Sequence, residues 1–178
     1  FLSISVNLKT SLKNIEISKK FNEIYCTVGL HPNNVFNDQK DLDKILNLYS
    51  SDSKIIGIGE AGVDLFRSKN NLSMQIECFE KQIDFCIKNN LPIIVHSRNA
   101  EKETIDILKK YKNKNLKFIL HCFSGSEKFA KQCLELNGLI SFGGILTFRN
   151  SFDLIEICKQ IPLNKPLVET DSPYLSPH

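Results

Sequence analysis

The sequence predicts an α/β protein: a TIM-type (β/α)8 barrel that lacks its first strand and its C-terminal helices. Three observations predict it. Short apolar runs alternate strictly with longer amphipathic ones. The short runs are almost continuously Ile, Val, Leu and Phe, as expected of strands buried on both faces of a parallel sheet covered by helices. No internal repeat, low-complexity tract or linker interrupts the series, so residues 1–178 read as a single domain.

In chain order, strands are expected at Leu2–Leu8, Ile24–Val28, Ile55–Ile58, Pro92–Val95, Lys117–Leu120, Leu139–Phe142 and Pro166–Val168. Helical patterns fill the intervals at Ser11–Phe21, Gln39–Ser50, Leu72–Asn89, Ala100–Tyr111, Ser126–Leu136 and Phe152–Gln160. The clearest is the fourth-strand approach, where Met74, Ile76, Phe79, Ile83, Phe85 and Ile87 fall near helical spacing with charges between them. Asn89-Asn90 and Gly138 stand where helix stops are expected, and Pro92 opens the next strand. One open Rossmann half needs fewer strands than this series supplies. Gly57, Gly59 and Gly62 carry Glu60 between them and lead into a loop rather than a helix, so a dinucleotide-binding turn is not read there.

Composition removes several classes. A chain of 178 residues, 42% hydrophobic, supports one substantial core. No apolar run approaches the roughly 20 residues of a membrane span. A net charge of +3 is too mild to argue nucleic-acid binding from bulk electrostatics. The six cysteines are scattered without a Cys-x-x-Cys pair, which points to a reducing compartment and a cytoplasmic protein rather than a disulfide scaffold. Cys78 and Cys86 share a helix and read as small buried side chains. The chain opens on Phe1 with no signal-peptide pattern, and its true N-terminus is expected upstream.

In such barrels the active site forms at the C-terminal ends of the strands. There the sequence places Glu60, His96, His121 and Asp171, with His31 after the second run. Every histidine except His178 follows directly on a strand. Imidazoles with carboxylates form a ligand set for Zn2+, Mn2+ or a carboxylate-leaning Mg2+ site. Any one of these residues alone reads as a structural hydrogen-bonder or cap; together they read as a metal site. His31 stays open between metal, substrate and the turn at Pro32.

Arginine carries a second signal. Lysine serves almost everywhere on the helices, yet arginine stands only at Arg67, Arg98 and Arg149, each past a strand end. Its planar fork suits a phosphate in a way lysine cannot reproduce, so these three are candidate substrate contacts, against a plain reading as surface arginines or an Arg67–Asp64 ion pair. Ser124-Gly125 would set backbone N–H groups at a helix N-terminus, a second candidate phosphate contact.

The stretches Val28-Gly-Leu-His-Pro32, Gly59-Glu-Ala-Gly-Val-Asp64, Val95-His-Ser-Arg98, His121-Cys-Phe-Ser-Gly125, Ile140-Ser-Phe-Gly-Gly144 and Glu169-Thr-Asp-Ser-Pro-Tyr-Leu175 occur in one order across nearly the whole chain. This ordered set resembles the TatD family of metal-dependent deoxyribonucleases. The resemblance implies hydrolysis of DNA phosphodiesters with one or two divalent cations (Mg2+, Mn2+ or Zn2+). It implies Glu60 bridging two metals, His96 and His121 on the second, and Asp171 on the first. Metal-activated water would attack phosphorus, Glu60 or Asp171 would take its proton, and Arg98 and Arg67 would hold the non-bridging oxygens. The family's His-x-His pair of strand one has no counterpart here, and Ala61 and Val63 stand where it carries larger aliphatics. DNA is the expected partner, and no membrane is expected. An amidohydrolase or lactonase would put a carboxylated lysine where Glu60 stands. A degenerate binding barrel would explain the missing pair but not the ligands kept elsewhere. Without its first strand the sheet is expected to leave a gap rather than close.

Overall fold

The computed structural model describes residues 1–67 and 69–175; His178 lies outside them. Seven parallel strands form one sheet in sequential order. They are β1 (Leu2–Ser3), β2 (Tyr25–Val28), β3 (Ile55–Asp64), β4 (Pro92–Arg98), β5 (Lys117–Leu120), β6 (Leu139–Phe142) and β7 (Pro166–Val168). Helical segments fill every crossover: α1 (Leu8–Lys20), α2 (Val35–Asp38) with α3 (Leu42–Asn47), α4 (Leu72–Asn89), α5 (Glu101–Lys110), α6 (Glu127–Glu135) and α7 (Phe152–Gln160). β1 pairs only with β2 and β7 only with β6, so the sheet is open, and Val168 on its last strand is 92% exposed.

The core lies between sheet and helices. Val28, Ile58, Ile93 and Ile140 from the strands are fully buried, and Phe79 and Ile83 of α4 belong to the same apolar cluster. The buried face of α4 is Gln75, Cys78, Phe79, Gln82, Ile83 and Cys86, a spacing of three and four residues that keeps one stripe inward. Cys78 and Cys86 are therefore small buried side chains, as expected, and all six cysteines are free thiols. The two glutamines on this stripe serve the site below.

The structure differs from the sequence reading in three places. The run Leu2–Leu8 is a strand only at Leu2–Ser3, because Asn7 starts a helix. Its side chain accepts the Thr10 N–H at 3.0 Å while Thr10 Oγ1 accepts the Asn7 N–H at 3.0 Å, a reciprocal cap. The expected helix Gln39–Ser50 is broken into α2, α3 and short 3-10 turns, in a stretch crowded with Asn and Asp, whose side chains compete for the backbone. Finally, β3 does not stop at Ile58 but runs through Asp64. Gly59 and Gly62 make that course possible, with φ of +131° and +150°; a Cβ at Gly62 would stand 2.0 Å from the carbonyl oxygen of His96.

Elsewhere the punctuation is as expected. Asn90, in the left-handed conformation at φ 55°, closes α4, and Pro92 opens β4. Asn137, at φ 63°, supplies the same turn after α6, one residue before the expected Gly138.

Candidate metal centre

The extension of β3 places the centre. Its register against β4 shifts between Ile58 and Ala61, so Glu60 sits in an irregularity that re-aims its side chain. The Glu60 N–H donates to the Ser5 carbonyl at 2.6 Å, and Ser5 is tied to Thr27 of β2 through both its N–H and its hydroxyl. Glu60 and His96 thus stand within strands; His121 follows β5 directly, His31 lies three residues past β2, and Asp171 three past β7.

Glu60 Oε1 is the hub. It lies 2.6 Å from His96 Nδ1, 3.5 Å from His121 Nε2 and 3.6 Å from His31 Nε2. His121 Nε2 is also 3.5 Å from Asp171 Oδ1. Two groups of donor atoms are close enough to share a cation: His31, Glu60 and His96, and His121, Glu169 and Asp171. All four sequence-expected ligands therefore converge.

Each imidazole has a distinct second partner. His96 Nε2 is 3.2 Å from Asp64 Oδ2, and His121 Nδ1 is 3.0 Å from Glu169 Oε2. His31 differs, because its Nδ1 accepts the Asn33 N–H at 3.0 Å. A neutral ring accepting there carries its proton on Nε2, the nitrogen aimed at Glu60. In that form His31 can donate a hydrogen bond into the cluster. Gln82 of α4 sets its approach: its amide accepts the Leu30 N–H at 2.9 Å and donates to the Leu30 carbonyl at 3.1 Å.

The electrostatics follow from burial and proximity. Burial pushes the His31 pKa down to about 4, helped by His96. Burial also opposes the charged form of His121, but hydrogen bonds to Asp171 and Glu169 and the Glu60 charge outweigh it, pushing the ring up to about 10. His96 is raised for the same reason, its burial outweighed by Asp64 and Glu60. Glu60 would be raised by its burial, yet His96 and His121 hold it down at about 2. Four carboxylates surround the three rings, and His96 and His121 answer that negative charge by holding protons, while His31 stays neutral. Glu169 Oε1 is buried without a hydrogen-bond partner among the described residues, although His121 Nδ1 is 3.0 Å away; the better aligned hydrogen bond goes to Oε2. Such a donor set, with an unsatisfied buried oxygen, fits a divalent cation.

The arginines and the Ser124-Gly125 turn stand apart from the hub. Arg98 ends β4 with its guanidinium 4.1 Å from the centroid of the exposed Phe66 ring. Arg67 meets Asp64 through its backbone N–H, at 2.8 Å. Arg149 lines a cavity of about 620 Å3 with Ile145, Phe148, Asn150 and Ser151. The cradle expected at Ser124-Gly125 is filled from within the chain. Ser126 is the residue that caps α6, and its N–H and hydroxyl both donate to the Glu101 carboxylate, at 2.7 and 2.6 Å. Sequence reasoning left Glu169 out of the ligand set and treated Asp64 only as a partner for arginine. The signal available for both was position, since each flanks a ligand on its own segment.

A deep parallel α/β sheet with histidines and carboxylates gathered at one rim defines a metal-dependent hydrolase of the barrel class. Residues 1–178 match the family model described as TatD related DNase. An uncharacterized metal-dependent hydrolase of Buchnera aphidicola is 38% identical over 99% of this chain and 69% of its own length. Another from Bacillus subtilis, YabD, is 37% identical over 95% of this chain and 66% of its own. The chain thus spans about two thirds of these relatives. The crystal structure of a TatD homologue from Escherichia coli K12 superimposes with a TM-score of 0.91 over 99% of this chain and 69% of that one, at 23% identity, which shows the shared fold. The chain belongs to the TatD family of metal-dependent hydrolases.

Proposed function

We propose that this protein hydrolyses DNA phosphodiester bonds at the centre built around Glu60. The observation that carries the reading is the position of Glu60 Oε1 within 3.6 Å of three imidazoles, with Asp171 Oδ1 3.5 Å from the same His121 nitrogen that faces Glu60. Glu60, His96, His121 and Asp171 would hold the cation, and the description of the matching family model supports DNA as substrate. A bound divalent cation supplies Lewis-acid polarisation and lowers the pKa of water toward about 7.

The side chains then divide the work. Glu60, whose carboxyl is held well below the usual range by His96 and His121, and Asp171 are the groups available to take a proton from attacking water. His31, neutral and carrying its proton on Nε2, donates to an oxygen brought into the cluster. Arg98 ends β4 and Arg67 lies three residues past β3, where a planar fork would hold non-bridging phosphate oxygens. The test is cleavage of a defined DNA strand by the purified protein with Mg2+, Mn2+ or Zn2+. Cleavage that requires cation and is absent in Glu60→Ala supports the reading. Cleavage that persists in excess chelator, or a cation-loaded protein that leaves DNA intact, overturns it.

A further inference from the structure

We propose that Asp64 is a positioning residue that fixes the orientation and tautomer of His96, so that the ring presents Nδ1 to the metal centre. The inference rests on the metal reading of Glu60 and His96 and adds a residue that sits on no ligand position.

Asp64 is 1% exposed, yet it carries a carboxylate, and every contact around it is directional. Its Oδ1 accepts the N–H groups of Phe66 and Arg67 at 2.9 and 2.8 Å. Its Oδ2 accepts the Asn33 amide at 3.1 Å and faces His96 Nε2 at 3.2 Å. Its backbone is clamped as well, the Asp64 N–H donating to Gln75 Oε1 at 2.8 Å and its carbonyl accepting Gln75 Nε2–H at 3.3 Å. Buried, held at backbone and side chain, and negatively charged, this group has one ring nitrogen within reach. A carboxylate accepts only, so the nitrogen that faces it carries the proton. Nδ1 faces Glu60 Oε1 at 2.6 Å, so without a cation it carries a proton as well. A cation bound there displaces that proton, while Nε2 keeps its own against Asp64 and leaves the Nδ1 lone pair to the metal. A carboxylate behind a metal-binding imidazole fixes its ring and raises its basicity, and losing that partner typically weakens metal binding about 10–100-fold. Glu169 stands behind His121 in the same relation, at 3.0 Å from Nδ1.

Asp64→Asn separates this role from mere packing, since the side chains have nearly the same shape. The two backbone N–H groups at Oδ1 require an acceptor, so the amide oxygen stays there and the amide nitrogen takes the place of Oδ2. It now donates toward His96 Nε2, which must offer its lone pair, and the proton moves to Nδ1. In the serine-protease triad the same exchange lowers turnover about 10⁴-fold through the wrong tautomer.

The experiment uses Zn2+ alone as probe, with calorimetric affinity and 15N spectra of the histidine rings, so no turnover is read. In the zinc-loaded parent, His96 is expected to carry its proton on Nε2 with zinc on Nδ1. In Asp64→Asn the zinc affinity is expected to fall about 10–100-fold with an unchanged far-ultraviolet circular dichroism spectrum. Equal zinc affinity in the two proteins overturns the positioning role alone. Should the variant fail to fold, the parent spectrum still decides: zinc on Nε2, or the proton on Nδ1, overturns the proposal. A parent that binds no zinc overturns the metal reading, and with it the role assigned to Asp64.

Discussion

Glu60 Oε1 and His96 Nδ1 lie 2.6 Å apart, across the shift in register that separates Ile58 from Ala61 on β3. The contact brings a carboxylate from one strand and an imidazole from the next to one point, and it depends on β3 running past Ile58 to Asp64. The proposed chemistry rests on this convergence.

Glu60→Ala is expected to abolish cation-induced stabilisation while leaving the fold, because Glu60 sits at the rim and not among the packed apolar side chains. A cation at 100 times its Kd stabilises the native state by about 2.7 kcal/mol, which for a chain of this size is roughly 5–10 °C in Tm. The parent should show that shift with Zn2+ or Mn2+ in a thermal melt, and the variant should show none.

Cation affinity should rise with pH between about 6.5 and 10. His121 is held near 10 in the cation-free protein, so its imidazolium must give up a proton before Nε2 can bind metal. The sign for stability is the reverse. With the folded pKa above the unfolded value of 6.5, the His121 ion pairs stabilise fully below 6.5 and are lost as pH rises through about 10. Glu60, held near 2 from 4.5, contributes above 4.5 and is lost as pH falls toward 2. Calorimetry in buffers of different ionisation enthalpy reads the released proton; no proton release at pH 8 would remove His121 from the ligands.

Gln82→Leu should cost about 2–6 kcal/mol in urea denaturation. It strands both the N–H and the carbonyl of Leu30 in the core, at about 1–3 kcal/mol each. A loss under 1 kcal/mol would mean that Leu30 finds other partners.

That glutamine marks where the sequence stopped being legible. Apolar periodicity located four of the seven strands to within a residue, and α4 to the residue, because burying Ile, Val, Leu and Phe is what places them. It could not show that Gln75 and Gln82 share the buried stripe of α4, since polar residues on such a stripe break the very pattern being read. The candidate metal ligands were visible because their residue types are costly at strand ends without a purpose. Asp64 and Glu169 were less so: each acts behind a histidine far away in sequence, a relation only the packed sheet creates. Beside Ser124-Gly125, nothing local reveals that Glu101 reaches over from α5 to Ser126.

Arg98→Lys is expected to lower DNA cleavage at least several-fold, well beyond Lys110→Arg, whose parent lysine only pairs with Glu80 on the surface at 2.7 Å. Lysine keeps the charge at 98 but loses the fork and the guanidinium packing over Phe66, itself about 0.5–1 kcal/mol at an exposed site. Equal cleavage rates would make Arg98 an ordinary surface arginine.

The central claim is the cation site around Glu60, and anomalous diffraction from crystals grown with Zn2+ tests it most directly. A zinc peak is expected about 2.0–2.2 Å from the Glu60 carboxylate and from a nitrogen of His96 or His121. Well-ordered crystals with no anomalous peak among Glu60, His96, His121 and Asp171 at saturating zinc would contradict it.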